Sequence, residues 1–323
     1  MEIATVYKMT SHTDRGEKES IHKTVLLNET IDGLNLNSKS VVLDCTFGGG
    51  GHSLEVCKRN KDTKIIAIDQ DEGAFKKAKS KLKDLNCNIS YINTNFKDLK
   101  NALEKENVKE VDGIIFDLGL SSDQLENSGR GFSFMRNEPL LMTMKENPSR
   151  EDITASDIVN TWEEKNLADI IYGYGEERYS RRIAKAIVDA RKKSKIESTF
   201  DLVRIIESSV PRAYRSGKIH FATRTFQALR IAVNDELGVL QLGLQSGFEK
   251  LRIGGRMSVI SFHSLEDRIT KKFYSAKGGS ASGGKENRVA KIITKKPIRA
   301  SLEEVKNNPR SRSAKLRVLE KTA

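Results

Sequence analysis

Four short apolar runs constrain this chain more than any other feature. They are Val41-Val42-Leu43-Asp44, Lys64-Ile65-Ile66-Ala67-Ile68-Asp69, Ile89-Ser90-Tyr91-Ile92 and Gly113-Ile114-Ile115-Phe116-Asp117. Each is the length of a strand and apolar at nearly every position, the pattern of strands buried on both faces of a parallel sheet. Helical patterns lie between them. From Glu72 to Leu85, Phe75, Ala78 and Leu82 fall on one face and lysines on the other, as a crossover helix requires. The repeat predicts an α/β chain with a doubly wound, mostly parallel sheet.

After Asp117 the alternation stops, and residues 125–217 read as loops and helices without a buried strand. It returns with a long helical pattern from Thr223 to Leu251, a strand over Arg256 to Phe262 and a helix from about Ser264. Val289 to Thr294 and Ala314 to Leu319 supply two candidate edge strands, and Lys277 to Lys285, rich in Gly and Ser, is expected to be flexible. Residues 1–20 are polar and aperiodic, the pattern of a mobile arm. The expected organisation is therefore an arm (1–20), a sheet domain in two pieces (21–124 and 218–323) and a helical insertion (125–217).

The 56 Lys and Arg exceed the 44 Asp and Glu, for a net charge of +12, which favours an acidic partner and leaves RNA, DNA and anionic membrane open. No apolar run approaches the roughly 20 residues needed to span a bilayer. The start, with Asp14, Glu17 and Glu19, lacks a signal-peptide core. A soluble, cytoplasmic protein without a membrane partner is expected. Cys45, Cys57 and Cys87 have no disulfide-like or CxxC spacing, and the five histidines show no ligand pattern, so reduced thiols and no metal are expected.

The loop after the first run, Asp44-Cys45-Thr46-Phe47-Gly48-Gly49-Gly50-Gly51-His52-Ser53, opens a helix. A glycine run alone is a flexible turn. At the carboxyl end of the first strand of a doubly wound sheet it becomes a cofactor loop. A dinucleotide fingerprint counted from Gly48 fails at its last glycine, where Ser53 stands. Asp44 at the strand end disfavours a pyrophosphate and suits the ammonium and sulfonium of S-adenosylmethionine. Asp69 ends the second strand, where an acidic side chain can accept from both ribose hydroxyls, although a helix cap explains it too. Phe96 can pack an adenine face or belong to the core.

Asp117-Leu118-Gly119-Leu120-Ser121-Ser122-Asp123-Gln124 follows the fourth strand. The exocyclic amine of a nucleobase is a poor nucleophile, and acceptors must align it with the methyl group. Asp117 can do that or contact the cofactor, and Ser121 and Ser122 are further catalytic candidates.

Together with these blocks, His22-Lys23-Thr24-Val25-Leu26-Leu27-Asn28-Glu29, Arg130-Gly131-Phe132-Ser133-Phe134, Tyr174-Gly175-Glu176-Glu177-Arg178, Ala222 to Arg230 with Val233 to Leu237, Ser261 to Arg268 and Asn308 to Arg317 resemble the RsmH (MraW) family of ribosomal RNA small-subunit methyltransferases, in the family's order. The resemblance implies a class I (Rossmann-like) S-adenosylmethionine-dependent methyltransferase fold with a helical insertion. It implies N4-methylation of one cytidine, nucleotide 1402 in the usual numbering, in the decoding region of bacterial 16S rRNA. It also implies cofactor contacts at Gly50, Gly51, His52, Asp69, Phe96, Asp117 and Gln124, of which His52 and Gln124 rest on the resemblance alone. The chain departs from the family at Leu140-Leu141-Met142-Thr143-Met144, where Leu141 and Thr143 replace an Asp and an Arg.

Basic segments in the insertion and tail, Arg181-Arg182, Arg191 to Lys195, Lys295-Lys296-Arg299 and Arg310 to Arg317, are candidate phosphate contacts. Those at Lys76 to Lys83 read as a solvated helix face. Arg130 with Phe132 and Phe134, then Arg224, Gln227 and His263, are candidate RNA contacts, against a packing anchor for the phenylalanines and helix pairing or capping for the others. Glu266, Asp267 and Arg268 suggest a local charge network. The expected partner is 16S rRNA or the small subunit, with the chain a monomer or a homodimer. Competing readings are a dinucleotide-dependent oxidoreductase, a small-molecule methyltransferase, and a catalytically altered ribosome-assembly factor that still binds RNA and cofactor.

Overall fold

The computed structural model describes residues 23–83, 85, 87–279 and 288–323. Seven strands, β1 (Val41–Asp44), β2 (Lys64–Asp69), β3 (Asn88–Asn93), β4 (Val111–Asp117), β5 (Leu251–Ser261), β6 (Ala290–Ile292) and β7 (Lys315–Lys321), form one sheet in the order β3-β2-β1-β4-β5-β7-β6. The pairs from β3 to β5 are parallel, and β7 runs antiparallel to both β5 and β6. This is the class I methyltransferase arrangement. Strand order reverses between β1 and β4, which opens a crevice at the carboxyl ends of the strands.

Strand period decides which core each residue joins. Val42, Ile65 and Ile115 pack with Ile31 and Leu34 of α1 (Leu27–Leu34) and Val56 of α2 (Gly51–Arg59). Leu43, Ile66, Ile114 and Phe116 point to the other face. There they meet α4 (Leu99–Lys105), α12 (Glu236–Lys250) and α13 (Ser264–Lys277). Phe75 and Ala78 of α3 (Glu72–Lys83) pack on Ala67 and Phe47. Both faces are covered, which is why the strands are apolar throughout.

Between β4 and β5 lie α5 (Ser122–Glu126), α6 (Ala155–Thr161), α7 (Glu164–Gly173), α8 (Ser180–Arg191), α9 (Thr199–Ser209), α10 (Arg212–Arg215) and α11 (Thr223–Asn234), followed by α12; α14 (Leu302–Asn307) precedes β7. A second core joins Ile158, Leu167, Ile183, Ile187, Leu202 and Ile206 to Phe132 and Leu140. It continues past residue 217 into α11 through Phe226 and Leu229.

Three expectations need correction. Thr223 to Leu251 is two helices, because Asp235 takes a left-handed conformation (φ 47°) between α11 and α12. Cys57 and Cys87 are joined in a disulfide, with Cα atoms 5.8 Å apart, so only Cys45 is a free thiol. Spacing concealed the pair because 30 residues separate Cys57, in α2, from Cys87, just before β3, and only the fold brings them together. The strand expected from Arg256 begins at Leu251. The arm (1–20) and most of Lys277 to Lys285 lie outside the described residues. Among the described residues no helix is long and apolar enough to cross a membrane.

Candidate active site

A cavity of about 560 Å³ opens at the carboxyl ends of the parallel strands and extends to the helical body. The glycine loop forms one side. Gly50 has φ 72°, and a Cβ there would sit 2.7 Å from the Phe47 ring. A Cβ on Gly51 would sit 1.7 Å from Thr24 Oγ1. Gly48, Gly49, Gly51 and His52 line the cavity; Gly50 does not, and it serves the turn.

Three carboxylates end the strands beside this loop. Asp69 accepts from Gly48 N (2.7 Å) and Asp71 N (2.9 Å), which fixes it at the cavity wall, and burial pushes it up to about 6. Asp117 is pushed up to about 8, first by burial and then by the nearby charges of Asp44 and Glu266. Its backbone N–H donates to Thr46 Oγ1, and its Oδ2 lies 3.7 Å from His52 Nδ1. Its Oδ1 is buried and has no hydrogen-bond partner among the described residues. Asp44 corrects the sequence reading: it accepts from Ser53 Oγ (2.7 Å) and Thr46 N (3.2 Å) and does not line the cavity. It anchors the start of α2 from behind, and burial raises it to about 6.

His52, Phe96 and Gln124 also line the cavity. Phe96 stands edge-on to Phe116, with centroids 5.4 Å apart. Gln124 closes a capping box with Ser121, its side-chain oxygen accepting from Ser121 N while Ser121 Oγ accepts from Gln124 N, and its Nε2 donates to Asp71. Ser122 Oγ accepts from Arg310 Nη1, and Arg310 also pairs with Glu126 at 2.6 Å, so the carboxyl-terminal segment forms part of the rim. Both serine hydroxyls therefore already have structural partners.

The residues expected to touch RNA divide. Arg130 is buried and away from the cavity lining; it donates to Asp71 Oδ2 (2.6 Å) and to the carbonyls of Met144 (2.9 Å) and Thr143 (3.3 Å). An RNA contact by Arg130 is overturned: it fastens the insertion to the loop after β2. Phe132 belongs to the second core and shows an edge to the cavity, the anchoring role. Phe134 stacks on His220 with centroids 4.5 Å apart and lines the cavity. Gln227 lines it and donates to Tyr174 O. Arg224 donates to Glu176 O and faces a different cleft.

His263 caps α13 and lines the cavity. Glu266, Asp267 and Arg268 do not form the local network expected. Asp267 pairs with Lys315 and Arg317 of β7, and Arg268 reaches Glu176. Leu141 and Thr143, the departures from the family pattern, are absent from the cavity lining, whereas Met142 and Met144 are present. Asn234 holds that segment to α11, accepting from Met144 N and donating to Met142 O.

Sequence reasoning missed a charge cluster on the far wall. Arg230 makes two bonds to Glu236 (2.7 and 2.8 Å), next to His263 and Glu266. Glu266 is held below its usual range against the opposing effect of burial, by His263, Arg230 and the Phe262 N–H. Glu236, His263 and Glu266 bring three potential metal ligands within 4.8 Å of one another. Their bonding suits an ion-pair network better: Arg230 occupies Glu236, and His263 Nδ1 accepts from Glu266 N. His263 Nε2 lies 3.3 Å from Glu266 Oε1. The signal for this cluster was the polar block Asn234-Asp235-Glu236 inside an apparently continuous helix.

The chain matches the MraW methylase family over residues 19–322. It is 47% identical over 311 residues to a protein of Clostridium botulinum (strain Kyoto / Type A2) named ribosomal RNA small subunit methyltransferase H, covering 93% of this chain and 98% of that protein. Proteins of the same name from Clostridioides difficile and Brevibacillus brevis are each 44% identical over 310 and 311 residues, with the same coverage.

Proposed function

The chain belongs to the MraW methylase family, and on that premise we propose that it transfers a methyl group from S-adenosylmethionine to N4 of one cytidine, nucleotide 1402 in the usual numbering, of bacterial 16S rRNA. The observation that carries the reading is Asp117: a half-buried carboxylate at the end of β4, one oxygen of which has no hydrogen-bond donor among the described residues, on the same cavity as Asp69 and the glycine loop. Such a wall disfavours a pyrophosphate and suits a ligand with positive charge.

The residues fit the cofactor. Asp69 retains lone pairs for ribose hydroxyls beyond its two backbone bonds, and Gly51, packed too closely on Thr24 to carry a side chain, lines the cavity. His52, Phe96 and Gln124 complete the proposed contacts. When bound, S-adenosylmethionine supplies a methyl group on a positively charged sulfur. A cation beside Asp117 lowers its pKa, so the carboxylate is ionised when it is needed. Its carboxylate then accepts a hydrogen bond from the exocyclic amine, turns the amine lone pair toward the methyl group, and takes or passes to water the proton released on methylation. Leu141 and Thr143 lie outside the lining, which supports retained activity over an assembly factor without catalysis.

The test is transfer of labelled methyl to small subunits purified from cells lacking the gene, read by nucleoside mass spectrometry. N4-methylcytidine is the expected product, and Asp117→Asn is expected to lower kcat by about 10²- to 10³-fold. Cofactor binding without transfer, or a label on another base, would defeat the proposal.

A further inference from the structure

A second cleft, of about 350 Å³, lies on the helical body. Its walls come from the residues before α8, from α10 and from the loop leading into α11, and they include Arg178, Tyr179, Tyr214, Lys218 and Arg224. Arg178 sits over two rings at once, 4.9 Å from the Tyr179 centroid and 5.2 Å from that of Tyr214. The rings meet edge to face, with centroids 5.0 Å apart. Tyr214 is fixed by its hydroxyl, which donates to the buried Glu177. The result is a shelf of aromatic and guanidinium surfaces in fixed orientation.

The charge here is unmatched. Arg178, Arg181, Arg182, Arg212 and Lys218 are exposed, and none has an acidic partner among the described residues. On the same body, exposed Lys185 and Lys192 share Asp189, and Arg204 holds Asp201. The cleft also adjoins the cavity described above. Thr223 lines the cavity and Arg224 the cleft, so the first turn of α11 is the wall between them. The loop that supplies Lys218 continues into His220, which stacks on Phe134 of the cavity.

We infer that this cleft binds single-stranded RNA next to the methylated base, with Arg178, Lys218 and Arg224 on phosphates and the Tyr179 and Tyr214 shelf against a neighbouring base. Unpaired RNA is recognised by stacking on aromatic and guanidinium planes together with cationic contacts to the backbone. A base seated in the cavity would leave its flanking nucleotide at the wall formed by α11. The inference rests on the proposed function for its substrate, but the cleft can be read without catalysis.

The probe is a fluorescent oligouridine of about ten nucleotides, with binding to the full chain followed by anisotropy at several salt concentrations. Arg178→Glu with Lys218→Glu is expected to weaken binding about tenfold and to flatten the log–log salt slope by about 1.4, the loss of two phosphate contacts. Lys271→Glu with Lys272→Glu, the same charge change on exposed positions of α13, is expected to leave both nearly unchanged. Tyr214→Ala is expected to weaken binding without changing the slope, and a melting temperature within about 2 °C of the parent confirms that each variant folds. Equal binding by the cleft and control variants overturns the inference, as does preference for polyglutamate over oligouridine. Wild-type protein that transfers no methyl to small subunits, while the cleft variant still loses oligouridine, sinks the proposed function and leaves the cleft standing. Normal transfer, with the cleft variant matching the control in oligouridine binding and in KM for subunits, removes the cleft alone.

Discussion

The two walls of the cavity handle charge in opposite ways. On the sheet side, Asp69 and Asp117 are half-buried carboxylates with no Lys or Arg partner among the described residues, pushed up to about 6 and 8. On the helical side, Arg230 and Glu236 pair with two bonds, and behind the lining Arg130 is locked to Asp71 and two carbonyls. Charge left unpaired in a cavity marks a place where a ligand completes the structure; charge paired in the interior marks architecture. The contrast also separates arginines that look alike in sequence. Arg130 and Arg178 both stand beside aromatic residues, yet one is buried and bonded while the other is exposed and has no acidic partner among the described residues.

Arg130→Met gives the largest expected effect on this contrast. Removing the guanidinium leaves Asp71 buried without its cation, at a cost of about 3 kcal/mol. Chemical denaturation should record that loss, with the salt dependence of RNA binding unchanged. A stable variant with a flattened salt slope would return Arg130 to the RNA surface and erase the distinction.

The sheet-side carboxylates give a smaller effect with a definite sign. Their folded pKa values lie above the unfolded value of 3.8, so their stabilising contribution is complete below about pH 4. It is lost as pH rises through about 6 for Asp44 and Asp69 and about 8 for Asp117. Carboxylates held low, such as Glu176 and Asp267, finish their opposite contribution at lower pH. Stability without cofactor should therefore fall between about pH 5 and 9, and Asp117→Asn should remove about 2 kcal/mol of that fall. Parallel stability curves for the two proteins would show that Asp117 is not held neutral.

The smallest effect is expected at the departure from the family pattern. Leu141→Asp with Thr143→Arg should change turnover by less than about threefold, equivalent to about 0.7 kcal/mol in the barrier, because neither position lines the cavity. A large rise from near-zero activity would show that the missing pair is catalytic, and would move the chemistry toward the helical wall.

The sheet side was more legible in the sequence than the helical side. The glycine loop, Asp69, Phe96 and Asp117 each follow a strand, and the crevice of a doubly wound sheet forms at strand ends, so position along the chain implies position in the cavity. Even there, reading Asp44 as a ligand contact failed. Strand-end position alone does not say whether a side chain faces the crevice or turns behind the loop, as Asp44 does toward Ser53. On the helical side, contacts between distant segments govern the outcome. Arg130 meets Asp71 across 59 residues, and Arg310 meets Ser122 across 188. Gln227, a candidate RNA contact in the sequence, lines the cavity, whereas Arg224, three residues earlier on α11, faces the second cleft.

By itself the sequence determined the α/β class, the strands on both sides of the switch point and the loop that opens beside it. Apolar runs and glycines act through local sterics and burial, which neighbouring residues dictate. Tertiary structure alone decided the Cys57–Cys87 bridge, the helix break at Asp235, the burial of Arg130, the Arg230–Glu236 pair and the cleft beside Arg178. A charge is priced by its surroundings, and those surroundings come from parts of the chain that no local window contains.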